Sequence, residues 1–267
     1  MLKRHAFYIF FITLGFYAGL VIFPVTGFCS ENDKALEFYH KAIEAKTLGE
    51  RENYFEKSLE LYLVKYNEMK QKTIMNGLLC YNIGNCFFNL KQIGQAVYYY
   101  RTGLKLLPGN EKLKDNLAIA LEKRENPVDF EISGLKYSLL FFHYNISNSD
   151  KINMIVIISI ISSILIFISF YYKKTFIKYF TIISCFSLFC LFSSLGVKYY
   201  SPNHIGIVIK ETEIRKAAGS GFAPIIKNPL GEGSSIRVLS LNKDWYLVKL
   251  NDGRKGYIEK DHLKIII

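Results

Sequence analysis

Five histidines (5, 40, 143, 204, 262) and five cysteines (29, 80, 86, 185, 190) are the obvious candidates for metal, nucleophilic or acid–base chemistry in this 267-residue chain. They are scattered. No histidine stands beside a nucleophile, no Cys-x-x-Cys occurs, and no glycine-rich phosphate loop is present. Cys80 and Cys86 share one predicted helix but project about 120° apart around it, so they cannot bridge within it. Buried small apolar side chains is the expected role for such cysteines. The pattern predicts a chain that is not an enzyme and needs no cofactor or metal. Its net charge of +11 comes without any basic block interleaved with aromatics, so nucleic acid is not an implied partner. What remains is recognition by surfaces, and the elements that would carry those surfaces follow.

From Glu31 to Asn126 apolar residues recur at three- and four-residue spacing, with Pro108 the only proline, which predicts helix after helix. Gly77–Asn110 is 34 residues long and resembles a tetratricopeptide repeat. Ile83, Gly84 and Phe87 match the first helix, Ala96, Tyr100 and Gly103 the second, and Pro108 closes the unit. Glu31–Gln71 and Glu111–Glu125 look like degenerate copies. One repeat cannot bury its own apolar face, so roughly two and a half to three are expected.

Arrays of this kind resemble protein- or peptide-binding scaffolds with a concave face lined by first helices. That resemblance implies a binding surface of Leu78, Tyr81, Asn85, Phe88 and Asn89, with Lys112 and Asp115 alongside. A carboxylate clamp is not expected: Asn82 and Lys112 fit it, but Tyr39, Ile43 and Asn116 do not. The alternative is that Tyr81 and Phe88 only pack between helices.

After Pro202 the periodicity becomes strand-like. Ile205–Ile209, Ser235–Leu241, Trp245–Leu250 and Gly256–Ile258 are β-branched or aromatic runs, and Asn251-Asp252-Gly253 reads as a hairpin turn. Glu213-Ile214-Arg215, Leu230-Gly231-Glu232-Gly233, Asp244-Trp245-Tyr246 and Gly253–Ile258 together resemble a bacterial SH3 domain. The resemblance implies a small all-β barrel over residues 203–267, with Trp245 and Tyr257 as candidate contacts. Trp245 as a packing residue is the competing assignment.

Between these regions lie two apolar runs, Ile152–Tyr172 and Thr175–Val197. The first is 21 residues without a charge, and the second carries only Lys178. Twenty-one helical residues reach about 31 Å, the thickness of a bilayer's hydrocarbon. With Lys173 and Lys174 between them, the runs predict a transmembrane hairpin whose lysine-rich tip is cytoplasmic and whose flanks lie outside. Met1–Ser30 has the basic end (Lys3, Arg4), apolar stretch and proline break of a secretory signal, cleaved or retained as an anchor. Residues 127–151 read as a linker with an interfacial segment around Leu135–Tyr144.

The whole order resembles the BatE proteins of bacterial aerotolerance operons. The resemblance implies a multi-domain membrane protein: a helical repeat solenoid, a two-helix transmembrane hairpin and a C-terminal SH3-like barrel. It further implies a non-enzymatic scaffold in the bacterial inner membrane with both soluble parts extracytoplasmic, acting beside von Willebrand factor A-domain membrane proteins and a MoxR-type ATPase. The competing function is attachment to peptidoglycan through the SH3-like domain.

Overall fold

Asparagine and threonine cap three of the helices before the sheet. In the computed structural model, which describes residues 33–130, 146–172, 174–200, 204–242 and 244–266, α1 spans Asp33–Glu44 and α2 spans Leu48–Gln71. Then α3 spans Gly77–Asn89, α4 Ile93–Leu106 and α5 Glu111–Glu122. The side chain of Asn76 accepts from the Leu78 and Leu79 amides, Asn110 from Leu113, and Thr47 from Glu50, each satisfying backbone donors that a helix start leaves open. The signal region Met1–Ser30 and the apolar linker segment Leu135–Tyr144 lie outside the described residues.

Each of these five helices packs on the next, and α3 also reaches α5. α3 and α4 approach closely, because Gly84 has no side chain where the Tyr100 ring passes. A Cβ built there would lie 2.5 Å from the ring. Ile83, Phe87, Ala96 and Tyr100 fill the same seam, all buried. Aromatic rings continue the core: Phe87 stacks on Tyr99 at 5.4 Å, and Tyr66 meets Tyr99 edge-on at 5.5 Å. Cys80 and Cys86 are fully buried free thiols, pushed up to about 12 by burial.

The strands are β1 His204–Val208, β2 Ser235–Leu241, β3 Trp245–Lys249, β4 Lys255–Glu259 and β5 Leu263–Ile265, with a 3-10 turn at Lys260–His262. They form an antiparallel sheet in the order β4-β3-β2-β1-β5. This sheet is open, whereas a closed barrel was expected from the sequence. The β4 edge is already occupied: Arg215 and Tyr257 exchange backbone hydrogen bonds at 2.9 and 2.8 Å, so β4 has no free edge with which to meet β5.

Helices and sheet form one compact unit. β1 is buried on both faces. Ile207 and Ile209 join the helical core, while Val208 joins Ile214, Leu230, Ile236 and Ile258 in the sheet's own core. That explains why the β1 sequence is continuously apolar rather than alternating.

The second unit contains α6, Asn148–Tyr171, and α7, Thr175–Tyr200. Both are long and apolar enough to cross a membrane. α6 starts four residues before the expected run, capped by the Ser147 hydroxyl at the Asp150 amide (3.0 Å), and α7 continues three residues past Val197. Small residues share their buried positions with Ile177 and Leu191: Ser159, Ser162 and Ser184 are buried, and the hydroxyls of Ser162 and Ser184 are hydrogen-bonded. Phe180, Phe186, Phe189 and Phe192 point outward.

Candidate functional site

The amide of Asn85 is the centre of the α3 surface. Its Oδ1 accepts from the Tyr100 hydroxyl at 2.8 Å and from the Asn116 amide at 2.7 Å, joining α3, α4 and α5. Its backbone carbonyl accepts from Asn89 at 2.8 Å. Tyr39, from α1, faces the same amides. Burial pushes its phenol up to about 12, while hydrogen bonds with Asn85 and Asn89 pull the other way. Asn85 is thus buried and internally committed, and it is not the open groove residue the sequence suggested. A buried polar network of this kind needs every member satisfied, which makes Asn85 a residue that sets helix spacing.

The other sequence candidates on these helices divide by exposure. Leu78 is 55% exposed, and Lys112 and Asn89 are exposed. Tyr81 and Phe88 are half-buried and pack against the helical core, the Tyr81 ring lying 6.5 Å from Tyr100. α3 therefore presents an apolar edge formed by Leu78, Tyr81 and Phe88 above a polar seam.

Trp245 and Tyr257 sit on neighbouring strands, with Trp245 opposite Glu259 and Leu247 opposite Tyr257. Trp245 is half-buried and lines a cleft of about 340 Å³ together with Glu211, Glu213, Glu259, Arg215 and His262. Arg215 is paired with Glu213 at 3.0 Å, and His262 Nδ1 lies 2.9 Å from the Thr212 hydroxyl. Carboxylates outnumber cations on this lining. Tyr257 does not line the cleft; its backbone is engaged with Arg215. Among the described residues, no group of three or more His, Cys, Asp or Glu is placed to hold a metal ion.

The joint between helices and sheet was not foreseen. Arg124, at the end of α5, gives Asp129 a two-pronged pair at 2.8 Å on each arm and also donates to the Gly233 carbonyl at 3.1 Å. Asp129 in turn accepts from the Ser235 hydroxyl at 2.9 Å. Residues 128–130, expected to be linker, run alongside the start of β2: Phe130 N–H donates to the Ser235 carbonyl at 2.8 Å and Ser235 N–H to Val128 at 3.0 Å. Burial raises the Asp129 carboxyl, but hydrogen bonds from Arg124 and Ser235 and the charges of Arg124 and Arg101 outweigh it, leaving the group below its usual range.

Two glycines allow this approach. A Cβ on Gly94 would meet the Val208 carbonyl at 2.7 Å, and one on Gly231 would overlap the Glu125 carbonyl. On the far side of the joint, Lys264 of β5 lies 5.2 Å from the Tyr98 and Tyr99 ring centres and donates to Gln95 at 2.8 Å. The sequence carried one readable sign of the joint, the unbroken apolar character of β1. No family model, curated protein or solved structure matches the chain.

Proposed function

We propose that this protein is a membrane-anchored, non-enzymatic scaffold that binds partner proteins on the extracytoplasmic side. In this reading α1–α5 are tetratricopeptide-type helix pairs, the sheet is an SH3-like module fused to them, and α6–α7 anchor both in the bacterial inner membrane. The observation that carries it is the apolar edge of α3, where Leu78 is exposed beside the half-buried Tyr81 and Phe88 while Asn85 is turned inward. Interfaces draw their energy from a few such apolar and aromatic contacts. A BatE-type assembly would supply von Willebrand factor A-domain membrane proteins as the partners.

Co-purification from native membranes tests this reading. Leu78→Asp changes an exposed side chain and should leave the circular dichroism spectrum unchanged, so recovery of the A-domain proteins with wild type and its loss with Leu78→Asp is the expected result. Equal recovery with both would remove the α3 edge from the proposal. The Trp245 cleft favours a second reading, attachment to peptidoglycan, whose amines would meet Glu211 and Glu259 beside an aromatic face. Retention of the detergent-solubilised full-length protein on purified sacculi, lost with Trp245→Ala, is the result that would put this reading first.

A further inference from the structure

A limit of chain length ties β1 to α7. The helix ends at Tyr200 and the strand opens at His204, so four Cα steps, about 14 Å at full extension, are all that separates them. β2 runs antiparallel to β1 with Val238 opposite His204, and it continues three residues beyond that pair to Leu241. Those three residues therefore extend past the end of β1 that is joined to α7. They are also the exposed end of β2: the register shifts between Val238 and Ser240, and Leu239 and Leu241 are 41% and 53% exposed. Tyr246 stands opposite Leu241, and Trp245 is its neighbour. The stretch that follows Leu241 is polar, Asn242-Lys243-Asp244, so the apolar side chains at this end lie on the strands that flank it. The other end of the sheet has a polar turn as well. The β3–β4 turn carries Asn251, Asp252 and Arg254, with Asp252 and Arg254 paired at 2.7 Å.

We propose that the β2–β3 hairpin end, through Leu239 and Leu241 with Trp245 and Tyr246 beside them, rests in the lipid interface of the membrane face from which α7 emerges. Exposed leucines next to a tryptophan and a tyrosine suit the boundary between headgroups and acyl chains, where aromatic rings keep one end dry and one end wet. The inference rests on the reading of α6 and α7 as membrane spans. It makes the bilayer surface a second contact for the soluble unit, holding the sheet down at its leucine end.

The experiment uses the full-length protein in lipid nanodiscs and exploits Trp245 as the chain's single tryptophan. In a Trp245→Phe background, a reporter is introduced as Leu241→Trp, as Asp252→Trp or as Phe186→Trp, and quenching by brominated lipids is measured. Bromines near the headgroups are expected to quench the Leu241→Trp reporter and leave Asp252→Trp unquenched, while bromines near the chain midpoint quench Phe186→Trp. Equal response at 241 and 252, or no response at 241 while 186 is quenched, overturns the hairpin contact alone. An unquenched Phe186→Trp reporter overturns the membrane span and the contact with it. A second measurement covers misfolding of the reporters: native Trp245 should be quenched in the otherwise unaltered chain and should lose that quenching in the Leu239→Asp, Leu241→Asp double variant. Undiminished quenching in the double variant also overturns the contact.

Discussion

The helix–sheet unit and the α6–α7 hairpin sort their side chains in opposite ways. In the first, aromatic rings such as Phe87, Tyr99 and Tyr100 are inside and charges such as Lys41, Lys112 and Lys114 are outside. In the second, Ser159, Ser162 and Ser184 are inside, and Phe180, Phe186 and Phe189 are outside. Burial of apolar area drives the first arrangement in water. If the second spans a membrane, as proposed, burial cannot drive it, because the lipid outside is as apolar as the inside and close backbone approach through small residues takes over. The same residue type therefore has opposite structural weight in the two places, and the predictions use matched substitutions to test that.

The largest contrast is aromatic. Tyr100→Ala removes a fully buried ring and leaves the Asn85 amide oxygen one donor short, so the soluble unit should lose about 3–5 kcal/mol. Phe189→Ala, at a ring 67% exposed on α7, should shift the melting of the same full-length protein by less than about 0.5 kcal/mol. Thermal denaturation followed by circular dichroism in detergent measures both. Comparable losses would mean that Phe189 is packed rather than lipid-facing.

Next comes the joint. Asp129→Asn removes the partner of Arg124, whose side chain is only 8% exposed. The cost should be about 2–3 kcal/mol, below the range for a fully buried pair because a third of Asp129 is exposed. The sign of the pH dependence follows from the lowered carboxyl. Its stabilisation is fully present above the unfolded carboxylate range, near pH 4, and is lost as the pH falls through the still lower folded value. The wild type should show that acid-side loss in urea titrations at pH 5 and pH 3, and Asp129→Asn should flatten it. An unchanged acid limb would move the linkage to another carboxylate.

Glycine gives a third matched pair. Gly84→Leu drives a side chain into the Tyr100 ring and should cost about 1–3 kcal/mol, whereas Gly196→Leu on α7 meets nothing within 4 Å and should be silent. Differential scanning of the two variants separates them. A silent Gly84→Leu would show that α3 and α4 do not meet there.

The elements that follow local rules were readable in the sequence. Apolar residues at three- and four-residue spacing mark the helices, Gly84 and Tyr100 sit at spacings that bring two helices together, and 21 uncharged residues signal a membrane-length helix. What could not be read depends on partners far along the chain. Asn85 looks like a surface amide until Tyr100 and Asn116, 15 and 31 residues away, are folded onto it. Asp129 looks like a linker acid beside Arg124, and Ser235, 106 residues later and beyond both membrane-length helices, is what ties that pair to the sheet. The expected barrel failed for the same reason: Arg215 takes the β4 edge through backbone atoms, which carry no residue-type signal. Of the candidate surface that the repeat resemblance implied, Leu78, Asn89 and Lys112 are exposed and Asn85 is not.

The smallest predicted effect is the one that tests the comparison most closely. Ser162 and Ser184 form the buried hydrogen bond of the hairpin, and in water-soluble cores the loss of one buried partner is costly. In a membrane helix the stranded hydroxyl has another acceptor within reach, the carbonyl one turn back, which Ser163 and Thr181 already use at 2.9 Å each. Ser162→Ala should therefore cost only about 0.6 kcal/mol, the typical size of an interhelical hydrogen bond in lipid, and keep the close approach that a small side chain allows. Ser162→Leu keeps no such approach and should separate the helices outright. Distance measurements between spin labels on α6 and α7, made alongside unfolding titrations in mixed micelles, read the two variants. If Ser162→Ala proved as damaging as Gly84→Leu, hydrogen bonding rather than side-chain size would hold the hairpin, and the packing contrast between the two units would fail at its centre.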